Sequence, residues 1–399
     1  MSDTFCILPW IHIYVNADGS VLPCCIGHYE NHMGNVQNDT IENILNGEKY
    51  KNMRAKMLRG EKCQECRACY KSEEIGNNSL RKSINKKFQQ YIPDALQIKE
   101  DGTLDKVKLR YLDVRWSNIC NFKCRSCSST YSSTWAQEDN AQGKRKPIHI
   151  FAGGNDNDNL YDQFKPHFKD IKTFYFAGGE PLLTDKHYEI LEYLIEHKHT
   201  DVEIDYNTNI SNLKYKNKSV FDYWPHFKRV EVGASLDSWG KRAEFIREGT
   251  DWNTIVKNIK EVRKQCPNVF LNSSSVISAF NVNTIPEFLD SLYKDELFDR
   301  DTHTAKFYNI VNPTFFTLSI LPDNLRKETI EKLNDSKGRF NKKIQFEINS
   351  VISQLENTTY DKELAKQFVK STQYYDRIRN RNFVETFPEI SEIFNEDIL

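Results

Sequence analysis

Between residues 107 and 311 six runs of strand character alternate with helical stretches, and this alternation constrains the fold more than any other feature. The strand-like runs are 107–116, 171–177, 202–206, 229–236, 269–277 and 305–311, with the clearest helical patterns at 185–198, 251–265 and 284–297. Strand and helix in strict alternation predict a parallel sheet joined by helical crossovers. Six such units fall two short of a closed eightfold barrel, so the predicted class is α/β, a partial (β/α)6 TIM-type barrel. The run 314–321 reads as one further strand. Beyond it 323–335, 340–356 and 361–378 carry amphipathic helical patterns of the kind that pack on a barrel. The expected division is a small cysteine-rich segment over 1–92, the barrel over 107–322 and a helical extension over 323–399.

Barrels of this type collect their chemistry at the C-terminal ends of the strands. Cys120 follows the first strand, Gly178-Gly179-Glu180-Pro181 the second, Asn207-Thr208-Asn209 the third, and Ser235-Leu236-Asp237 ends the fourth. Paired glycines let a ligand approach the backbone closely and leave carbonyls free to accept from an ammonium group. On that reading Gly179→Val weakens ligand binding and leaves metal content unchanged. Asn209, Ser235 and Asp237 suit hydroxyl groups, and Arg247 suits a carboxylate or, as the plainer alternative, a surface ion pair.

Nine of the ten cysteines precede residue 128 and fall in groups: Cys6, then Cys24 and Cys25, then Cys63, Cys66 and Cys69, then Cys120, Cys124 and Cys127. The opening residues lack the basic and apolar regions of a secretory leader, and no apolar run reaches membrane-spanning length. The expectation is a cytoplasmic chain, in which grouped cysteines point to metal rather than disulfides. Cys266 stands alone and reads as a buried thiol. Ile11 to Val15 and Val21 to Cys25 form a hairpin about Asp18-Gly19, which brings Cys6 and Cys24 within reach of one another. A four-cysteine zinc site fits the spacing of the first segment as well as an iron–sulfur cluster does. The loop 120–127 is more restrictive: it offers three thiolates where a cubane takes four, so one iron stays open to a small molecule.

The C-x3-C-x2-C spacing of Cys120, Cys124 and Cys127, directly after a strand, resembles the signature of the radical S-adenosylmethionine (radical SAM) superfamily. Ser126 stands where that family often has an aromatic residue, and Phe122 is assigned part of the packing. The resemblance implies that the three cysteines hold a [4Fe-4S] cluster whose open iron chelates the amino and carboxylate groups of S-adenosylmethionine (SAM). It implies reductive cleavage to a 5′-deoxyadenosyl radical. It also implies that Gly178, Gly179, Glu180 and Pro181 bind the methionyl amino group and that Ser235 and its neighbours, with Asn209 and Asp237, contact the ribose.

A second resemblance covers the first segment. Cys6-x2-Pro9-Trp10, Asp18-Gly19, Pro23-Cys24-Cys25, Gly34-Asn35 and a closing C-x2-C are similar to the SPASM/twitch type of auxiliary cluster domain, here placed ahead of the barrel rather than after it. This implies a second, auxiliary iron–sulfur cluster of the [4Fe-4S] type on Cys6, Cys24, Cys66 and Cys69, with Cys63 and Cys25 as alternates. Members with such a domain mostly modify peptides or proteins, so the implied substrate is a peptide, with a nucleotide, sugar or other small molecule as the alternative. An electron donor such as flavodoxin or ferredoxin is implied as partner. A net charge of −1, from 55 basic and 56 acidic residues, gives no overall field toward long nucleic acid or an anionic membrane. The basic stretch Arg81 to Lys87 is expected to be a solvated helix face. A non-catalytic, zinc-stabilised binding protein is the remaining alternative.

Overall fold

The computed structural model describes residues 2–394 apart from 75, 77, 145 and 147–156; the final residues of the expected extension, 395–399, lie outside the described residues. In chain order the strands are β1 His12–Val15, β2 Ser20–Leu22, β3 Gly34–Asn35, β4 Tyr111–Val114, β5 Lys123–Cys124, β6 Thr173–Phe176, β7 Glu203–Thr208, β8 Lys214–Tyr215, β9 Lys218–Ser219, β10 Arg229–Ser235, β11 Arg247–Glu248, β12 Val269–Ile277 and β13 Ala305–Asn309. All six barrel strands expected from the sequence form, as β4, β6, β7, β10, β12 and β13, with helices such as Asp185–Glu196, Trp252–Gln265 and Ile285–Lys294 between them. The architecture is the predicted α/β partial barrel. No helix among the described residues is long and apolar enough to cross a membrane.

The chain forms two compact units, one of residues 1–120, 129–206 and 222–230, the other of 121–128, 207–221 and 231–399. In the first unit the strand order is β7-β6-β4-β1-β2-β3. The N-terminal hairpin therefore does not stand apart: β1 pairs in parallel with β4, setting Ile13 beside Leu112 and Tyr14 beside Asp113. Registers continue across β6 and β7, so that Ile13, Leu112, Phe174 and Ile204 line up on one face. Alternation along each strand puts Tyr14, Asp113, Tyr175 and Asp205 on the other. The apolar face is covered by aromatic packing: Phe168 lies 5.5 Å from Phe174, and His187 of helix Asp185–Glu196 lies 4.9 Å from Phe176. On the polar face the Arg115 guanidinium sits between the rings of Tyr14 and Tyr175, at 5.0 and 5.1 Å. It lies 2.6 Å from Asp113. Burial nevertheless pushes the Asp113 carboxyl up to about 6.

Helix Leu80–Lys87 departs from the expected solvated face. Arg81, Ile84, Asn85 and Phe88 are buried, a spacing of 3, 1 and 3 that defines one helical stripe. Lys87 is held at 2.7 and 3.2 Å by Glu203 and Asp205 of β7. Lys82, Lys86 and Lys87 are exposed as expected, whereas Arg81 is buried against Glu73 and Lys87 also meets carboxylates of the sheet.

In the second unit the order is β13-β12-β10, with β12 and β13 parallel. Helices Asp323–Ser336, Lys342–Glu356 and Lys362–Arg379 match the sequence patterns and share one core with the end of β12. Phe280, just past β12, lies 5.0 Å from Phe316 and 5.2 Å from Phe368. The expected strand at 314–321 is not one. It folds as two short turns of 3-10 helix, Thr314–Phe316 and Leu318–Ile320, in which Thr317 donates its N–H and its hydroxyl to the Thr314 carbonyl. The alternating burial of Phe316, Leu318 and Ile320 produced a strand-like pattern, while local hydrogen bonds took the backbone groups that a ladder needs.

Candidate functional site

The first unit holds a cavity lined by Cys6, Cys24, Cys66 and Cys69, together with apolar Leu8, Ile26, Ala68 and Leu80. These are the four thiols that the SPASM-type resemblance singles out. Three chain segments bring them there: the turn before helix Leu8–Ile11, the return after β2, and the start of helix Arg67–Glu74 with the 3-10 turn Gln64–Cys66 ahead of it. Burial pushes the Cys6 thiol up to about 12, opposed by the Leu8 N–H. Cys24 is raised by burial and by the neighbouring Cys25, opposed by the Ile26 N–H, and Cys69 is raised by burial, opposed by the Arg81 N–H. Apolar surroundings thus favour neutral thiols, and a bound cationic centre is what makes four thiolates stable there. The backbone N–H groups aimed at the sulfurs are the contacts that an iron–sulfur cluster's thiolates accept. The donor set fits such a cluster. Among the described residues no three His, Cys, Asp or Glu groups converge tightly enough for a single metal ion, whereas a cubane's thiolates each bind a different iron.

The two alternates stand differently. Cys63 is buried, with its Sγ 3.7 Å from the Met53 carbonyl, and its hydrogen bond with Cys66 lowers its pKa. Cys25 is exposed, and Asp113 and Arg115 on the polar face of the sheet are its strongest charged neighbours. Neither lines the cavity. Cys266 is buried, as expected, and is pushed up to about 11 by burial.

Arg81 lines the same cavity, and the sequence reading missed it. Its Nη1 donates to the Phe5 carbonyl at 2.8 Å, its Nε donates to Glu73 at 3.1 Å, and its Nη2 forms a close ion pair with the same carboxylate. The signal available was its position next to the Leu80, Ile84 and Phe88 stripe.

Also in the first unit, Gly178 and Gly179 adopt φ of +80° and +41°, in the left-handed region that favours glycine. A Cβ at Gly179 would stand 2.4 Å from the Ile119 carbonyl oxygen, and one at Gly178 would stand 2.4 Å from the Arg115 side chain. The Glu180 N–H donates to that same Ile119 oxygen at 2.7 Å. Glu180 is buried and its carboxylate caps the 3-10 turn Pro181–Leu183 by accepting from the Leu182 N–H at 3.0 Å. The glycines thus press against the residue that precedes Cys120. This changes the expectation for Gly179: a side chain there displaces the start of the cysteine loop. Gly179→Ala should cost about 1–3 kcal/mol of stability, read by chemical denaturation, and lower iron content as well. Cys120 itself donates its N–H to Ser133 Oγ at 3.1 Å and accepts from the same hydroxyl at 3.2 Å.

The rest of the loop belongs to the second unit. Cys124 ends β5, which pairs antiparallel with β11 so that Cys124 lies opposite Arg247. Arg247 Nη1 reaches Cys124 Sγ at 3.7 Å, while its Nε lies 2.8 Å from Asp237. Burial opposes the Arg247 charge, and Asp237 and then Cys124 outweigh it, so its pKa is raised. The ion pair is buried, not a surface one, with side-chain exposures of 13% and 1%. Asp237 also accepts from the Val276 N–H at 2.8 Å. Burial raises Cys124, opposed first by Arg247, and pushes Cys127 up to about 12. Asn209 donates to the Asn121 side chain at 2.9 Å, and Phe122 is fully packed. Ser235, the last residue of β10, remains half-buried.

Two family models match the chain: an iron–sulfur cluster-binding domain, SPASM, over residues 6–70, and the radical SAM superfamily over residues 114–292. No curated protein sequence matches significantly. Among solved structures, anSMEcpe with bound AdoMet and Cp18Cys peptide is similar at 16% identity, over 56% of this chain and 58% of that one, with a TM-score of 0.39. Streptococcus suis SuiB bound to precursor peptide SuiA is similar at 13% identity, over 96% of this chain and 74% of that one, with a TM-score of 0.37. The SPASM match precedes the radical SAM match, in the order the sequence motifs predict, so the chain carries an iron–sulfur cluster-binding SPASM domain over residues 6–70 ahead of a radical SAM domain over residues 114–292.

Proposed function

We propose that the chain cleaves SAM reductively and directs the product radical at a peptide or protein side chain, abstracting a hydrogen atom to begin a post-translational modification. The observation that carries the reading is the three-cysteine loop 120–127 inside the matched radical SAM domain. A [4Fe-4S] cluster with one open iron, when bound, supplies the electron and the chelating site that split SAM into methionine and a 5′-deoxyadenosyl radical.

In this reading Cys120, Cys124 and Cys127 hold that cluster. Gly178 to Pro181 fix the entry to the loop through the Ile119 carbonyl and present a backbone edge for the methionyl amino group. Arg247, engaged by Asp237, holds Cys124 rather than clamping a carboxylate, and Asn209 and Ser235 face the ribose. Cys6, Cys24, Cys66 and Cys69 hold the auxiliary cluster, which relays electrons or holds substrate. The peptide assignment rests on the kind of member that carries a SPASM domain. The test is an anaerobic incubation with SAM, a reductant and candidate peptides encoded beside the gene, followed by mass spectrometry. A peptide mass change that depends on SAM is expected. Formation of 5′-deoxyadenosine that is stimulated only by small molecules sinks the peptide assignment.

A further inference from the structure

Strands β5 and β11 have two residues each, and a ribbon that short does not hold itself together in water. Something else must fix Cys124 against Arg247. We infer that residues 376–381, at the end of helix Lys362–Arg379, act as a positioning clamp on this ribbon and so set the geometry of the cysteine loop.

A set of contacts within the second unit carries the inference. Arg125, next to Cys124, is 2% exposed, and its Nη2 donates to Asp376 Oδ1 at 2.6 Å. The other Asp376 oxygen accepts from the Phe383 N–H at 2.7 Å. Asn380 then turns the chain with a φ of +51°, and the Arg381 N–H donates back to the Asp376 carbonyl at 2.8 Å. This reversal aims two guanidinium groups at the two strands. Arg379 donates to the Lys123 carbonyl of β5 at 3.1 Å, and Arg381 grips Glu248 of β11 through both oxygens at 2.9 and 3.0 Å. From the far side, Arg125 donates its N–H to the Ile246 carbonyl at 2.8 Å and stacks 3.8 Å over the Phe245 ring. A forked, two-point grip restrains orientation as well as distance.

The inference rests on the reading that Cys124 is a cluster ligand. The test uses the full chain with both clusters assembled, comparing Arg379→Gln/Arg381→Gln with the parent. Measurements are the thermal midpoint, the affinity for SAM, and the electron paramagnetic resonance spectrum of the reduced protein before and after SAM is added. Residues that orient metal ligands from outside the coordination shell typically contribute roughly 10–100-fold. Weakening of SAM binding by about tenfold or more, with an altered SAM-dependent spectrum, an intact auxiliary-cluster signal and partial rescue by Arg379→Lys, is expected. An unchanged spectrum and affinity overturns the inference. So does a loss that affects both clusters in step with the thermal midpoint, which marks a merely structural role. Failure of the underlying reading is separate, because then Cys124→Ala retains the SAM-dependent signal.

Discussion

Replacing Cys120, Cys124 and Cys127 together by alanine is expected to remove about half of the iron and all SAM cleavage. The magnitude follows from ligand chemistry: two cubanes bring roughly eight irons per chain, and removing every thiolate of one leaves about four. In the proposed assignment the remaining iron belongs to Cys6, Cys24, Cys66 and Cys69, which line a cavity of the first unit that no residue of the loop lines. Iron and acid-labile sulfide assays on anaerobically purified protein, with chromatography for 5′-deoxyadenosine, check the result. Residual cleavage in the triple variant would place the reactive iron elsewhere.

The converse change, Cys66→Ala with Cys69→Ala, should remove the other half of the iron and spare some uncoupled formation of 5′-deoxyadenosine. Peptide modification should fall to background, since the electron relay or substrate contact is lost. Cys63 and Cys25 are not expected to rescue the site, because neither lines the cavity. Rescue by Cys63, which hydrogen-bonds with Cys66, is detectable as retained iron in the double variant and its loss in a triple variant including Cys63→Ala.

Much of the fold was legible because its signals are local. Alternating strands and helices depend on neighbours two to four residues away, and the six barrel strands with the helices expected between them form. The run 314–321 misled because alternating burial does not distinguish a strand from successive 3-10 turns once Thr317 bonds its own neighbourhood. The four thiols that line one cavity were implied by the resemblance of the first segment, but Arg81 was not. Its role depends on Glu73, one helix earlier, and on the Phe5 carbonyl, far away in the chain, and a charge count reveals neither. The same holds for Arg247. The sequence offers it for a carboxylate or a surface ion pair, yet only three-dimensional pairing shows that Asp237 occupies its guanidinium. Likewise the pairing of β1 with β4 spans nearly a hundred residues, and no local pattern announces it.

The most direct test of a two-cluster radical enzyme is one measurement on the native protein: iron per chain, with 5′-deoxyadenosine formed on adding SAM and dithionite without oxygen. The predicted result is a brown protein with roughly eight irons that releases 5′-deoxyadenosine. A colourless protein holding zinc and leaving SAM intact would contradict it.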